Sequence, residues 1–298
     1  MVTVYIDRAI DEPIRREGIY SGDIHMRTGV AESTAIVEWA RSLITEAFGD
    51  FDPQRAQFEL DLEEFVRRVG PLKSRFTNDD HTKELVQALV IAMGSDPETT
   101  YFDLPRLRVV PSDAYLTSGV SYAYKAHRDT WYAHPPQLVN YWVPVYDCVG
   151  DNVMSMWTGY WNRPVRNSSA GFDYDRWVSE QRFKAASNIK GEDRPHPLPL
   201  EPVDPLCEIR IAGNAGDIML FSTCQLHSTA PNVSGVTRFS FDLRTLDIND
   251  LIEGRGPTNP DGAATGTTVG DFLRVSDLAA LETDLRDRNP EVSINTRG

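Results

Sequence analysis

Three short stretches carry the residue types on which metal chemistry depends. His127-Arg128-Asp129 places an imidazole and a carboxylate two positions apart. In an extended segment those two side chains point to one side and Arg128 to the other. A second histidine, His227, follows the strand-like run GDIMLFS. A turn with Pro231, Asn232 and Gly235 then leads to another strand, which opens on Arg238, eleven residues after His227. Two imidazoles and one carboxylate form the facial triad, which occupies one face of an octahedral Fe(II) and leaves three positions open. His127, Asp129 and His227 are therefore the expected metal ligands and catalytic residues. An H-x-[D/E] alone arises by chance about once in a chain of this kind, so the weight rests on the joint arrangement.

Along TRFSFDL the residues Arg238, Ser240 and Asp242 share one face, and Phe239, Phe241 and Leu243 share the other. An arginine pointing into a protein interior needs an anionic partner, because a buried unpaired charge is costly. A carboxylate held bidentately by Arg238, with the Ser240 hydroxyl beside it, meets that need.

The elements that must position these groups fall into two textures. Apolar residues recur at helical spacing in Ala31 to Phe48, Phe58 to Val69 and Leu85 to Met93, the last ending at Gly94. Residues 1–104 are thus expected to be mainly helical. From Leu107 to Leu246 the chain reads as short strands rich in aromatic and β-branched residues: LRVVPS, SYAYKAH, QLVNYWVPVYD, NVMSMW, GDIMLFS and TRFSFDLRTL. Regular short strands of this kind suggest a sandwich or barrel. Residues 162–205 interrupt them; Tyr174 to Ala186 could form a helix, and the Pro-rich end cannot be regular structure. Residues 247–298 hold a Gly/Thr loop and an expected helix from Val275 to Arg286. No linker separates these parts, so one domain of 298 residues is expected, with the strands of 105–246 as its core.

The order HxD, then His about a hundred residues on, then Arg eleven later, resembles the Fe(II)/2-oxoglutarate-dependent oxygenases, in particular the phytanoyl-CoA dioxygenase-like branch, whose bacterial members often tailor antibiotics and other small natural products. The resemblance covers about Tyr122 to Arg244; between Asp129 and His227 it is one of texture only. It implies a double-stranded β-helix, that is a jelly-roll or cupin-like core, with added α-helices. It also implies Fe(II), 2-oxoglutarate and O2 as cofactor and co-substrates, with ascorbate assisting. On that pattern His127, Asp129 and His227 would bind iron and Arg238, with Ser240, the co-substrate. The activity implied is a dioxygenase acting on an unactivated C–H of a small molecule, by hydroxylation, desaturation or oxidation to a ketone. Halogenases resembling this family have Gly or Ala where this chain has Asp129, so halogenation is disfavoured.

Aromatic residues near the HxD suggest a substrate pocket lined by Tyr122, Trp131, Tyr132 and Trp142, with Tyr124 and Asn140 nearby. Trp157, Tyr160 and Trp161 begin the insertion, which could cover the mouth as a lid. Each of these aromatics could equally fill the core.

The composition limits the partners. Lys and Arg number 30 against 44 Asp and Glu, a formal net charge of −14, with only five Lys. That argues against nucleic acid and an anionic membrane surface as partners. No apolar run approaches the roughly 20 residues of a membrane span, and the first residues lack an apolar signal core, so a cytoplasmic monomer or homodimer is expected. The acidic balance would favour a cationic small molecule, such as an aminoglycoside or amino acid derivative, over an acyl-CoA. Cys148, Cys207 and Cys224 fit no CxxC pattern and read as free thiols. Two alternatives stay open: a cupin-like metal enzyme that does not use 2-oxoglutarate, and a non-catalytic jelly-roll binding module.

Overall fold

The structure, a computed structural model, describes residues 2–281. Its elements in chain order are β1 (Val4–Ile6), α1 (Glu12–Tyr20), β2 (Ile24–Arg27), α2 (Ala31–Phe48), α3 (Leu62–Asn78), α4 (Asp80–Ala92), β3 (Thr100–Asp103), β4 (Arg106–Val110), β5 (Val139–Pro144), β6 (Met154–Trp157), α5 (Tyr174–Glu180), β7 (Glu208–Arg210), β8 (Ile218–Ser222), β9 (His227–Thr229), β10 (Arg238–Asp247), α6 (Ile248–Glu253) and β11 (Phe272–Arg274).

Two sheets form. The larger runs β1-β2-β8-β5-β10-β3-β11, with β4 also on β10, and the smaller runs β7-β6-β9. All these pairings are antiparallel except that of β1 with β2.

The larger sheet has one dry face. Phe239, Phe241 and Leu243 of β10 point to it, with Leu107 and Val109 of β4, Tyr141 and Val143 of β5, and Ile218 and Leu220 of β8. Helices α2, α3 and α4 cover that face. Ile36, Val37, Ala40, Leu43, Ile44 and Phe48, the 3.6-residue stripe of α2, are all buried in the same cluster. Phe48 meets Phe239 edge-on at 5.9 Å, and Phe76 of α3 packs on Phe241 at 5.7 Å. Burying each such side chain is worth about 1.5–3 kcal/mol. Because side chains alternate along a strand, residues 238, 240, 242 and 244 of β10 point to the opposite face.

Several boundaries differ from the sequence expectation. The second helix starts at Leu62 rather than Phe58, where the Asp61 side chain caps the Glu64 N–H at 2.8 Å, and it continues through Pro71 to Asn78. Strands β1 and β2 lie in the part expected to be helical; at three and four residues they are too short to show a period. SYAYKAH is not a strand. It runs irregularly to one antiparallel bridge between His127 and His227. In the insertion, α5 and a 3-10 turn at Arg182–Ser187 occupy the expected helical stretch. The expected C-terminal helix does not begin at Val275: residues 275–277 turn back and Ala280 bridges Leu273. Its remainder, from residue 282, lies outside the described residues. Cys148, Cys207 and Cys224 are free. Among the described residues no helix is long and apolar enough to cross a membrane.

Candidate active site

The two histidines, a hundred residues apart, meet as a cross-strand pair. His127 N–H donates to the His227 carbonyl and His227 N–H donates to the His127 carbonyl, both at 2.9 Å. Such a hydrogen-bonded antiparallel pair sets two side chains on one face. The imidazole centroids lie 4.4 Å apart. Arg128 keeps an extended backbone (φ −107°, ψ 148°), so Asp129 returns to the side of His127, and the Asp129 N–H is fixed by the Thr223 carbonyl at 3.0 Å.

Each ligand atom is aimed by a partner. His127 Nδ1 lies 2.7 Å from the Lys125 carbonyl and His227 Nδ1 lies 2.8 Å from the Gln225 carbonyl. A carbonyl only accepts, so each Nδ1 carries the proton and each Nε2 presents its lone pair. The Nε2 atoms lie 3.6 and 3.7 Å from Asp129 Oδ1. Asp129 Oδ2 is occupied on its other side, accepting from Asn140 Nδ2 at 2.8 Å and Arg244 Nε at 3.3 Å. Arg244 is in turn anchored by Asp103 at 3.1 Å. Burial would raise the Asp129 pKa, but Arg244 together with His127, His227 and His134 outweighs it and holds the carboxyl well below the usual range. Burial, then His127, lowers His227 to about 4, so it is neutral at neutral pH. One ligand atom from each of His127, Asp129 and His227 lies within 4.8 Å of the others, a spacing that a cation with ligands about 2.0–2.2 Å out can bridge. These donors fit a divalent metal, and the outer bonds are of the kind that orient such ligands.

The triad lines a cavity of about 210 Å³ together with Arg238, Asp242, Asn140, Trp142 and Phe221 of the larger sheet and Met154, Ser228 and Thr229 of the smaller one. Arg238 is 3% exposed, yet among the described residues no carboxylate lies within ion-pairing distance of it. It donates one bond, to the Asn152 carbonyl at 3.1 Å, and its Nε has no partner. Burial lowers its pKa to about 10. The Ser240 hydroxyl, on the same face, is also buried without a partner. Orphaned buried donors of this kind are rare in proteins, and together they fit a carboxylate.

The expected substrate residues separate. Tyr122, Tyr132 and Trp142 line the cavity, as do Tyr124 and Asn140. Trp131 does not: Asp129–Tyr132 is a 3-10 turn that sends Trp131 to the opposite side, fully buried, where its indole N–H donates to Asp261 at 2.6 Å. Trp157 and Tyr160 join Trp131 in that second core. The insertion reaches the cavity through other residues, Phe172, Tyr174, Trp177, Arg182 and Arg194. Gly119, at φ +57°, admits it: a Cβ there would lie 2.4 Å from the Ala185 carbonyl oxygen. Phe172 stands 5.3 Å from Tyr132, which stands 5.3 Å from His127, so an aromatic wall connects insertion and triad.

Sequence reasoning missed Arg244 and gave Asn140 no orienting role. Arg244 continues the alternation of Arg238, Ser240 and Asp242, so the period of β10 contained its signal. His134 is buried on the cavity and pairs with the Thr268 hydroxyl at 2.9 Å. Nothing in the sequence near His134 pointed to Thr268.

No family model matches the chain, and no curated protein matches it in sequence. Among solved structures it is similar to EvdO2 from Micromonospora carbonacea var. aurantiaca complexed with 2-oxoglutarate, at 16% identity and a TM-score of 0.46, over 80% of this chain and 91% of that one. It is similar to the non-heme alpha ketoglutarate dependent epimerase SnoN from nogalamycin biosynthesis, at 12% identity and a TM-score of 0.41, over 89% and 100%. The apo form of the non-heme monooxygenase ThoJ is similar at 15% identity and a TM-score of 0.41, over 85% and 79%.

Proposed function

We propose that this protein is an Fe(II)- and 2-oxoglutarate-dependent dioxygenase of one domain, built on a double-stranded β-helix, that oxidises a C–H bond of a small, natural-product-like molecule. One observation carries the reading. Two imidazole Nε2 atoms and one carboxylate oxygen converge in a cavity that also holds a buried arginine and a serine hydroxyl with unmet hydrogen bonds.

His127, Asp129 and His227 would hold the iron, and Arg238 with Ser240 the distal carboxylate of 2-oxoglutarate. When bound, iron, 2-oxoglutarate and O2 supply the oxidising chemistry, in which 2-oxoglutarate is decarboxylated to succinate and the substrate C–H is oxidised. The protein supplies placement. The Lys125 and Gln225 carbonyls hold the histidine tautomers, and Asn140 and Arg244 keep Asp129 from rotating. Tyr124, Tyr132, Phe172 and Trp177 wall off water and present flat surfaces to a substrate ring. Ascorbate would act only as an accessory reductant.

The test is 2-oxoglutarate turnover, read as succinate formed. Wild type should turn over, His127→Ala should not, and Arg238→Ala should need far more 2-oxoglutarate. Full activity in both variants overturns the site. Mn(II) binding without any 2-oxoglutarate turnover would favour a metal enzyme that does not use it.

A further inference from the structure

The charge of the cavity runs opposite to that of the chain. The protein carries a net −14, but Lys73, Arg106, Arg108, Arg182, Arg194, Arg238 and Arg244 line the cavity against only Asp129 and Asp242. The reason for favouring a cationic substrate, drawn from net charge, therefore does not hold at the site.

Five of these cations already face carboxylates. Arg108 grips Asp242 with two bonds, at 2.5 and 2.9 Å. Arg244 meets Asp103 and Asp129 at 3.1 and 3.3 Å. Arg182 pairs with Asp271 at 3.0 Å and Arg194 with Glu192 at 2.6 Å. Arg106 stands 4.0 Å from Asp103. Two cations remain without a carboxylate among the described residues. One is Arg238, at the co-substrate end. The other is Lys73 of α3, whose ammonium has a single hydrogen-bond partner, the Val120 carbonyl.

Lys73 is poorly supplied with negative charge. Arg108, Arg194 and Arg106 all act on it, against the single carboxylate Asp242, which Arg108 already occupies. Burial, then Arg108, lowers its pKa to about 7. An ammonium with three guanidinium groups acting on it is stabilised by an anion, and among the described residues no carboxylate lies within ion-pairing distance of it. The position also suits a substrate. The Arg108 guanidinium lies 5.2 Å from the centre of the Tyr124 ring, and that ring lies 5.3 Å from His127. Lys73 and the triad thus line one cavity, and Tyr124 lies between the triad and the guanidinium whose charge acts on Lys73.

We infer that the substrate carries an acidic group, a carboxylate or a phosphate, that docks on Lys73 while the rest of the molecule follows the aromatic wall toward the triad. This rests on the dioxygenase reading for the triad but not for the anion site, and the two are tested apart. Metal-free full-length protein is titrated calorimetrically with benzoate, phenyl phosphate and the neutral benzamide. At least one anion should bind about tenfold or more tighter than benzamide. Lys73→Met should remove that preference, and Lys73→Arg should keep it, which separates lost charge from lost fold. Arg238→Ala, which removes the co-substrate carboxylate site, should weaken 2-oxoglutarate and keep the Lys73-dependent part of the anion preference. The inference is overturned if neither anion is preferred over benzamide, if Lys73→Met binds the anions as wild type does, or if only Arg238→Ala abolishes their binding. Failure of 2-oxoglutarate turnover with the Lys73-dependent preference intact would reject the dioxygenase reading and leave the anion site standing.

Discussion

Arg128 and Arg238 are both removed from water, at 0% and 3% exposure. Their surroundings differ completely. Arg128 Nε faces both Asp261 oxygens at 3.1 and 3.0 Å. Its terminal nitrogens donate to the carbonyls of Cys224, Tyr160 and Arg163. Asp261 also receives the Trp131 indole and the Val165 N–H, so this one ion pair binds the Asp129–Tyr132 turn, the insertion and the C-terminal loop together. Arg238 has one carbonyl and an idle Nε. A buried charge that is fully answered by protein groups is holding structure. One that is left unanswered waits for a ligand. Burial alone does not separate the two cases; the completeness of the hydrogen bonding does.

The largest effect should come from breaking the answered pair. Asp261→Ala leaves Arg128 buried and uncompensated and should destabilise the fold by about 3–5 kcal/mol in denaturant unfolding. Arg238→Met removes a charge that has no protein anion. It should leave stability unchanged or slightly raised, yet weaken 2-oxoglutarate binding about a hundredfold by calorimetry, the loss of a charge-assisted pair worth roughly 1.5–3 kcal/mol. A destabilisation matching that of Asp261→Ala would break the comparison, because Arg238 would then be structural.

A smaller effect tests the orientation of Asp129. Asn140→Ala removes one of the two bonds to Oδ2 and should weaken Mn(II) binding by about tenfold, the low end for outer-shell partners. Unchanged affinity would mean that Arg244 alone fixes the carboxylate.

The smallest effect extends the comparison to a latent charge. Burial, then Arg15, lowers the His25 pKa to about 4, and its Nε2 has no partner. The folded state therefore binds fewer protons than the unfolded state between about pH 6.5 and about pH 4. Stability should be full above that window and decline as pH falls through it. His25→Leu should flatten the decline, measured by urea unfolding at about pH 7 and about pH 5. An unchanged slope in the variant would assign the acid loss to other groups.

What could be read in advance follows from period and spacing. The two-residue period of TRFSFDL placed Arg238 and Ser240 opposite Phe239 and Phe241, and the same period, carried two residues further, reaches Arg244. The 3.6-residue stripe of α2 matched its buried face from Ala31 to Phe48. Local rules fail where the backbone leaves a regular period. Trp131 looked like a neighbour of His127, but a 3-10 turn sent it away. Asp261 lies in a Gly- and Pro-rich loop with no period, and its three partners come from other parts of the chain. Lys73 lies beyond Val69, where the expected helix ended, and its ammonium donates to the carbonyl of Val120, 47 residues on.

The sequence by itself determined the donor set, two imidazoles, a carboxylate and a spaced arginine, because side-chain chemistry and strand alternation are local properties. Only the tertiary structure decided that His127 and His227 pair across strands, that Arg128 is saturated while Arg238 and Lys73 are not, and that an acidic chain encloses a cationic cavity. Those outcomes depend on which distant groups are brought within hydrogen-bonding range, and on how completely water is excluded from them, neither of which is a property of any single stretch of chain.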